Sequence, residues 1–196
     1  MTTEERIQIF TEACNKLNFV LTEEFFTWLK ENGFFTAPAS TKYHGSYEGG
    51  LFDHSMAVTK RLMELTMDNN IVWNRKESPF IIGMFHDLCK CDQYIKKEGS
   101  ITAIEDFTIH GDGLYHYEYN PNTLLKGHGT KSIMLLSQFI KLTEEEMLCI
   151  RYHMGAYGNE EDQKTEWAGF DAAIRKYPTV FWAHAADMLA SKVDDI

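Results

Sequence analysis

No apolar run in this sequence approaches the ~18 consecutive residues needed for a membrane-spanning helix, so none is expected. The opening segment, MTTEERIQIF, lacks the basic start and apolar centre of a secretory signal. Cysteine is scarce. Cys14, Cys89, Cys91 and Cys149 fit neither a zinc-ribbon nor a thioredoxin spacing, since Cys89 and Cys91 have one residue between them rather than two. Reduced thiols in a cytoplasmic protein are the simplest expectation. Positive charge is short too: 19 Lys and Arg stand against 29 Asp and Glu, a net charge of −10. Binding to long duplex nucleic acid draws on counterion release by clustered cations, so it is not expected, and only a local basic pocket stays open. Internal repeats and low-complexity segments are absent as well.

What remains is an ordinary globular composition. Of 196 residues, 44% are apolar and 24% charged, enough for one domain with a buried core. Apolar periodicity predicts helices over residues 3–17, 22–33, 51–68, 78–90, 129–140, 143–154, 164–176 and 178–190. Thr22 is placed to cap the second, Thr143 and Glu146 to form a capping box on the sixth, and Pro178 to open the last. Pro38 with Gly45, Gly49 and Gly50 marks residues 34–50 as loop. Between residues 94 and 120 the helical pattern breaks. Residues 101–109 are rich in β-formers, residues 114–119 alternate tyrosine with other types, and Gly111-Asp112-Gly113 between them is a hairpin turn signal. The expected fold is mostly α, a bundle of seven or eight helices with a small inserted β-hairpin at about 94–120. Residues 1–42 read as an N-terminal helical extension, and residues 43–196 as the main domain, with which the extension forms one unit.

The informative residues are polar ones set inside apolar helices. His54 lies on the same stripe as Leu51, Val58, Leu62 and Leu65. The segment PFIIGMFHDL is apolar nearly all round, which predicts a central buried helix, yet it carries His86 and Asp87 side by side. The last helix, VFWAHAADMLA, is apolar except for His184 and Asp187. Buried aspartates need a counter-charge, and neither apolar stretch offers an adjacent Arg or Lys. A divalent metal resolves this, and His with carboxylate suits Zn²⁺, Mn²⁺ or Fe²⁺. His128, between glycines in KGHGT, and His153, in IRYHMGAY, extend the set. A lone histidine on an apolar face is more often a core residue bonded to a backbone carbonyl. His44, His110, His116 and His184 fall under that reading, with His110 and His116 on a solvent-facing hairpin.

In this order the residues resemble the HD superfamily of metal-dependent phosphohydrolases: His54 in GGLFDHSMAV, His86-Asp87 in MFHDLCK and Asp187 in AHAADMLASK, with His128 and His153 between. The resemblance covers roughly residues 43–193 and is locally strongest to the HD domain of bacterial 3′-to-5′ exoribonucleases. Those show a glycine pair before the first histidine and lysines at the positions of Lys90 and Lys192. They also carry an OB-type domain for which this chain has no room, and the insertion at 94–120 is a further departure.

The resemblance implies that Asp87 bridges two ions. His54, His86 and Asp187 complete one position and His128 and His153 the other, and an activated water attacks phosphorus. Lys90 would contact a substrate phosphate, with a solvated helix-end lysine as the plain alternative. Lys192 and His44 are further candidate substrate contacts. The implied substrate is a phosphorylated small molecule, a nucleotide or a short oligonucleotide. Two other functions fit the same ligand order: a di-iron oxygenase of the HD fold acting on a small molecule, and a nucleotide-binding module without turnover. Specificity is expected in the loops at 34–50, 94–127 and 155–165.

Overall fold

The computed structural model describes residues 1–99, 108–110, 113–157 and 162–194. Among them are eight α-helices: α1 (Thr3–Lys16), α2 (Glu23–Glu31), α3 (Gly50–Asp68), α4 (Ser78–Phe85), α5 (His128–Leu136), α6 (Glu144–Arg151), α7 (Gln163–Lys176) and α8 (Thr179–Lys192). A 3₁₀ turn, Leu88–Cys91, follows α4, and another, Gly155–Tyr157, follows α6. The helix starts follow from local chemistry. Thr22 caps α2, and Thr143 and Glu146 form the expected capping box on α6. Thr2 with Glu5 makes a second box on α1. Pro178 immediately precedes the first residue of α8.

The insertion lies where expected but has one strand more than a hairpin. Strands β1 (Tyr94–Glu98), β2 (Thr108–His110) and β3 (Gly113–Tyr119) form a three-stranded antiparallel sheet in the order β1-β3-β2. The hairpin pair is β2 with β3, with His110 opposite Gly113. Strand β1 then adds to the other edge of β3, from Tyr94 opposite Tyr119 to Glu98 opposite Tyr115. The short YIKKE segment carries little period-2 pattern of its own, and its pairing with β3 is a tertiary event. The turn expected at 111–112 and most of the strand expected at 101–109 lie outside the described residues.

Helix α3 packs along α4 and α8, while α5 packs on α6 and on the 3₁₀ turn after α4. Two glycines make these approaches possible. A Cβ on Gly83 of α4 would lie 2.5 Å from the Thr59 backbone of α3, and one on Gly129 of α5 would lie 2.5 Å from the Ile150 carbonyl of α6. Residues 1–42 contribute Phe10, Phe25, Phe34 and Phe35 to the same apolar cluster as Phe52, Phe80 and Phe85. Phe10 is fully buried and makes ring contacts with Phe34, Phe35, Phe52, Phe80 and Phe85. Buried Arg6 of α1 clamps Asp53 of α3 with two 2.9 Å bonds, next to His54 in sequence. Among the described residues no helix is long and apolar enough to cross a membrane.

Candidate metal centre

Helix α4 ends at Phe85, before the His86-Asp87 pair, rather than running to residue 90 as the periodicity suggests. Helix α6 likewise ends at Arg151, short of His153. Both endings share one feature. The last carbonyls of a helix have no intrahelical partner. His86 Nδ1 donates to the Gly83 carbonyl (2.8 Å) and His153 Nδ1 to the Ile150 carbonyl (2.7 Å). Each histidine thus uses a carbonyl three residues back in the last turn of the helix it follows. A carbonyl only accepts, so Nδ1 carries the proton in both rings and Nε2 presents a lone pair to the interior.

The six side chains named from the sequence converge. His54, His86, Asp87, His153 and Asp187 are 1–4% exposed, while the His128 side chain is 18% exposed. Asp87 lies between two groups. Its Oδ2 faces His86 Nε2 at 3.4 Å and His54 Nε2 at 3.7 Å. Its Oδ1 faces His128 Nε2 at 3.0 Å and His153 Nε2 at 3.4 Å. Asp187 joins the first group through Oδ1, 3.1 Å from His54 Nε2 and 3.9 Å from His86 Nε2. Two triads able to hold a metal ion result, His54–His86–Asp87 and Asp87–His128–His153, and they share Asp87.

A metal fits these donors. Ligands about 2.0–2.2 Å from one ion stand roughly 3.0–3.6 Å apart when cis to each other, and four of the six distances above fall in that range, the other two being 3.7 and 3.9 Å. His153 Nε2 is buried and has no hydrogen-bond partner, and Asp87 Oδ1, equally buried, has only the 3.0 Å approach of His128 Nε2. Buried polar atoms are rarely left so. The charge states suit cation binding. Burial opposes the charge on Asp87, but Lys90, His86 and His128 outweigh it and hold the carboxyl well below its usual range. Burial also opposes ionisation of Asp187, where the hydrogen bond from His54 and the neighbouring histidines prevail. Burial pushes His128 down despite Asp87 beside it, so its ring is neutral, as a ligand must be.

One expectation needs correction. The plain alternative for Lys90, a solvated helix-end lysine, does not hold: Lys90 is buried and its Nζ lies 2.6 Å from Asp87 Oδ2. The 3₁₀ turn places i and i+3 side chains one above the other, and this brings the buried Lys90 back onto Asp87. Lys90 is therefore neither a solvated helix end nor a purely peripheral contact.

A cleft of about 510 Å³ opens onto the centre. Its walls include Lys90, His128 and Asp187, with His44 and Lys192. The His44 ring stands 4.9 Å from that of His54, and its buried Nδ1 has no hydrogen-bond partner. Burial, then His54 and Lys90, push His44 down to about 4, so it is a neutral group at neutral pH. Lys192 lies exposed on the rim. Sequence reasoning missed the tyrosines: Tyr43, Tyr94, Tyr119 and Tyr157 all line the cleft, and they come from a loop, the sheet and the 3₁₀ turn after α6, which no local pattern brings together. The remaining histidines stay outside the centre. His184 Nδ1 donates to the His153 carbonyl (2.7 Å), a core histidine as expected, and one that holds the His153 backbone. His116 meets Glu118 at 2.9 Å on the sheet, and the His110 side chain lies outside the described residues. No protein-family model matches the chain, and no curated protein or solved structure is significantly similar to it.

Proposed function

We propose that the chain is an HD-superfamily metal-dependent phosphohydrolase, cleaving a phosphoester bond of a nucleotide or short oligonucleotide. The observation that carries this reading is the shared carboxylate: Asp87 turns one oxygen to each of two histidine groups. That is the donor pattern of a two-ion hydrolytic site. Divalent ions bound there (Mn²⁺, Fe²⁺ or Zn²⁺) lower the pKa of water toward neutrality and polarise a phosphoryl oxygen.

The rest falls to the protein. His86 and His153 keep Nε2 free for ligation because Nδ1 is committed to a carbonyl. Lys90 sets a positive charge on the cleft wall beside Asp87, where a phosphoryl oxygen would lie. Lys192 adds a second cation at the rim, and neutral His44 offers a hydrogen bond rather than a charge. The tyrosines supply faces on which bases stack, worth about 1–3 kcal/mol per base and indifferent to base identity. A net charge of −10 favours short substrates over long duplexes. Four free cysteines, three of them buried, suit a reducing, cytoplasmic setting.

Hydrolysis puts the water oxygen on phosphorus and releases the alcohol. Protein loaded with Mn²⁺ should therefore turn over a phosphodiester reporter in ¹⁸O-water with the label in the phosphate-bearing product. Label in the alcohol, or metal-dependent oxygen uptake with Fe²⁺ and no hydrolysis, would replace this reading with an oxygenase. Metal and nucleotide binding without turnover would leave a binding module.

A further inference from the structure

The Nδ1–H of a metal-ligating histidine ordinarily donates to a carbonyl or carboxylate, which fixes the ring's tautomer and orientation. His86 and His153 follow that rule. His128 does not: its Nδ1 meets the sulfur of Cys89 at 3.2 Å. The thiol is fully buried and held in place from both sides. The Cys89 N–H donates to Ser132 Oγ (3.0 Å), and the Ser132 hydroxyl in turn reaches the His128 carbonyl (3.4 Å). The 3₁₀ turn after α4 and the first turn of α5 are thus tied together around one imidazole.

We propose that Cys89 is a positioning residue for His128, and that this contact sets the affinity of the Asp87–His128–His153 position for a divalent ion. The inference rests on the metal-dependent reading above. A neutral thiol is both a weak donor and a weak acceptor. It accepts from Nδ1–H when Nε2 ligates an ion. It donates to Nδ1 when the proton sits on Nε2, 3.0 Å from Asp87 Oδ1. The carbonyls behind His86 and His153 allow only the first arrangement. Within the Asp87–His128–His153 position, His128 is therefore the ring whose tautomer no carbonyl fixes, and Cys89 is what sets it. The unpartnered, buried Nε2 of His153 marks the same position as built for a ligand.

The test is a Mn²⁺ titration, followed by calorimetry, of the wild type, Cys89→Ala and Cys89→Ser, with circular dichroism and melting on the same samples. Two binding events are expected in the wild type, the second weaker. Cys89→Ala should leave the tighter event unchanged and weaken the second about tenfold or more, the usual scale for losing such a partner. Cys89→Ser keeps a group that donates and accepts, and should return the second event to within about threefold of wild type. If Cys89→Ala fails to fold, Cys89→Val fills the site without the hydrogen bond and takes its place. An unchanged second event in the Ala or Val variant overturns the proposal. So does equal weakening of both events, which would mean general loosening. A wild type that binds one ion removes this position and the proposal with it, while one that binds none removes the metal-dependent reading itself.

Discussion

Asp87 and Lys90 stand on one 3₁₀ turn, and the 2.6 Å contact between them takes both charges out of water. Breaking a buried pair by removing one partner costs about 3–5 kcal/mol, because the other charge is left uncompensated. In metal-free protein, Asp87→Asn should therefore lower stability by that order, read by urea unfolding. The double variant Asp87→Asn/Lys90→Met should recover most of the loss without recovering metal binding. A single variant as stable as wild type would contradict the buried pair. His44 makes a pH prediction of definite sign. Its value when unfolded is ~6.5, and the fold holds it near 4, so folding favours the neutral ring. The stability this contributes is complete above pH ~6.5 and is lost as pH falls toward 4. His128 is shifted the same way. The melting temperature of metal-free protein should fall over that window, and His44→Gln, which cannot take the proton, should flatten the fall. Identical slopes would show that His44 is not held neutral.

At the scale of elements, the early ends of α4 and α6 are what aim His86 and His153. Periodicity in PFIIGMFHDL and EMLCIRYH speaks only of apolar faces, so it ran both helices on through the histidines. A side chain that bonds back to a carbonyl of the last turn leaves no trace in such a pattern. The six clustered residues were still legible, because polar residues on apolar faces are conspicuous at any helix length. The helix caps were legible for the same local reason, each being set by residues three apart. Strand β1 and the tyrosine rim were not, since each depends on where a distant segment comes to lie; the Lys90 contact is local, and the pattern left open whether that side chain turns to Asp87 or to solvent. The close approach of α5 to α6 is testable by itself. A methyl at Gly129 would lie 2.5 Å from the Ile150 carbonyl and 2.9 Å from Arg151 Cα, both backbone atoms that cannot turn aside. Gly129→Ala should cost about 1–3 kcal/mol by chemical unfolding, the usual range for overpacking. A loss under about 0.5 kcal/mol would mean that the two helices are free to separate.

For the molecule as a whole, residues 1–42 share one aromatic cluster with the helices that position the His/Asp cluster. Phe10→Ala should destabilise the protein by about 3–5 kcal/mol, since the ring is fully buried among other rings. Unfolding of that variant should remain one transition, with far-UV dichroism and tryptophan fluorescence coinciding. Separate transitions would make the N-terminal segment an independent unit. The centre depends most on one carboxylate serving two histidine groups, and metal stoichiometry per chain measures that directly. Protein reconstituted with Mn²⁺ and freed of excess ion should hold more than one and approach two equivalents by elemental analysis, falling close to zero in folded Asp87→Asn/Lys90→Met. A ceiling at one equivalent in the wild type, or full metal in the double variant, would contradict a centre built around Asp87.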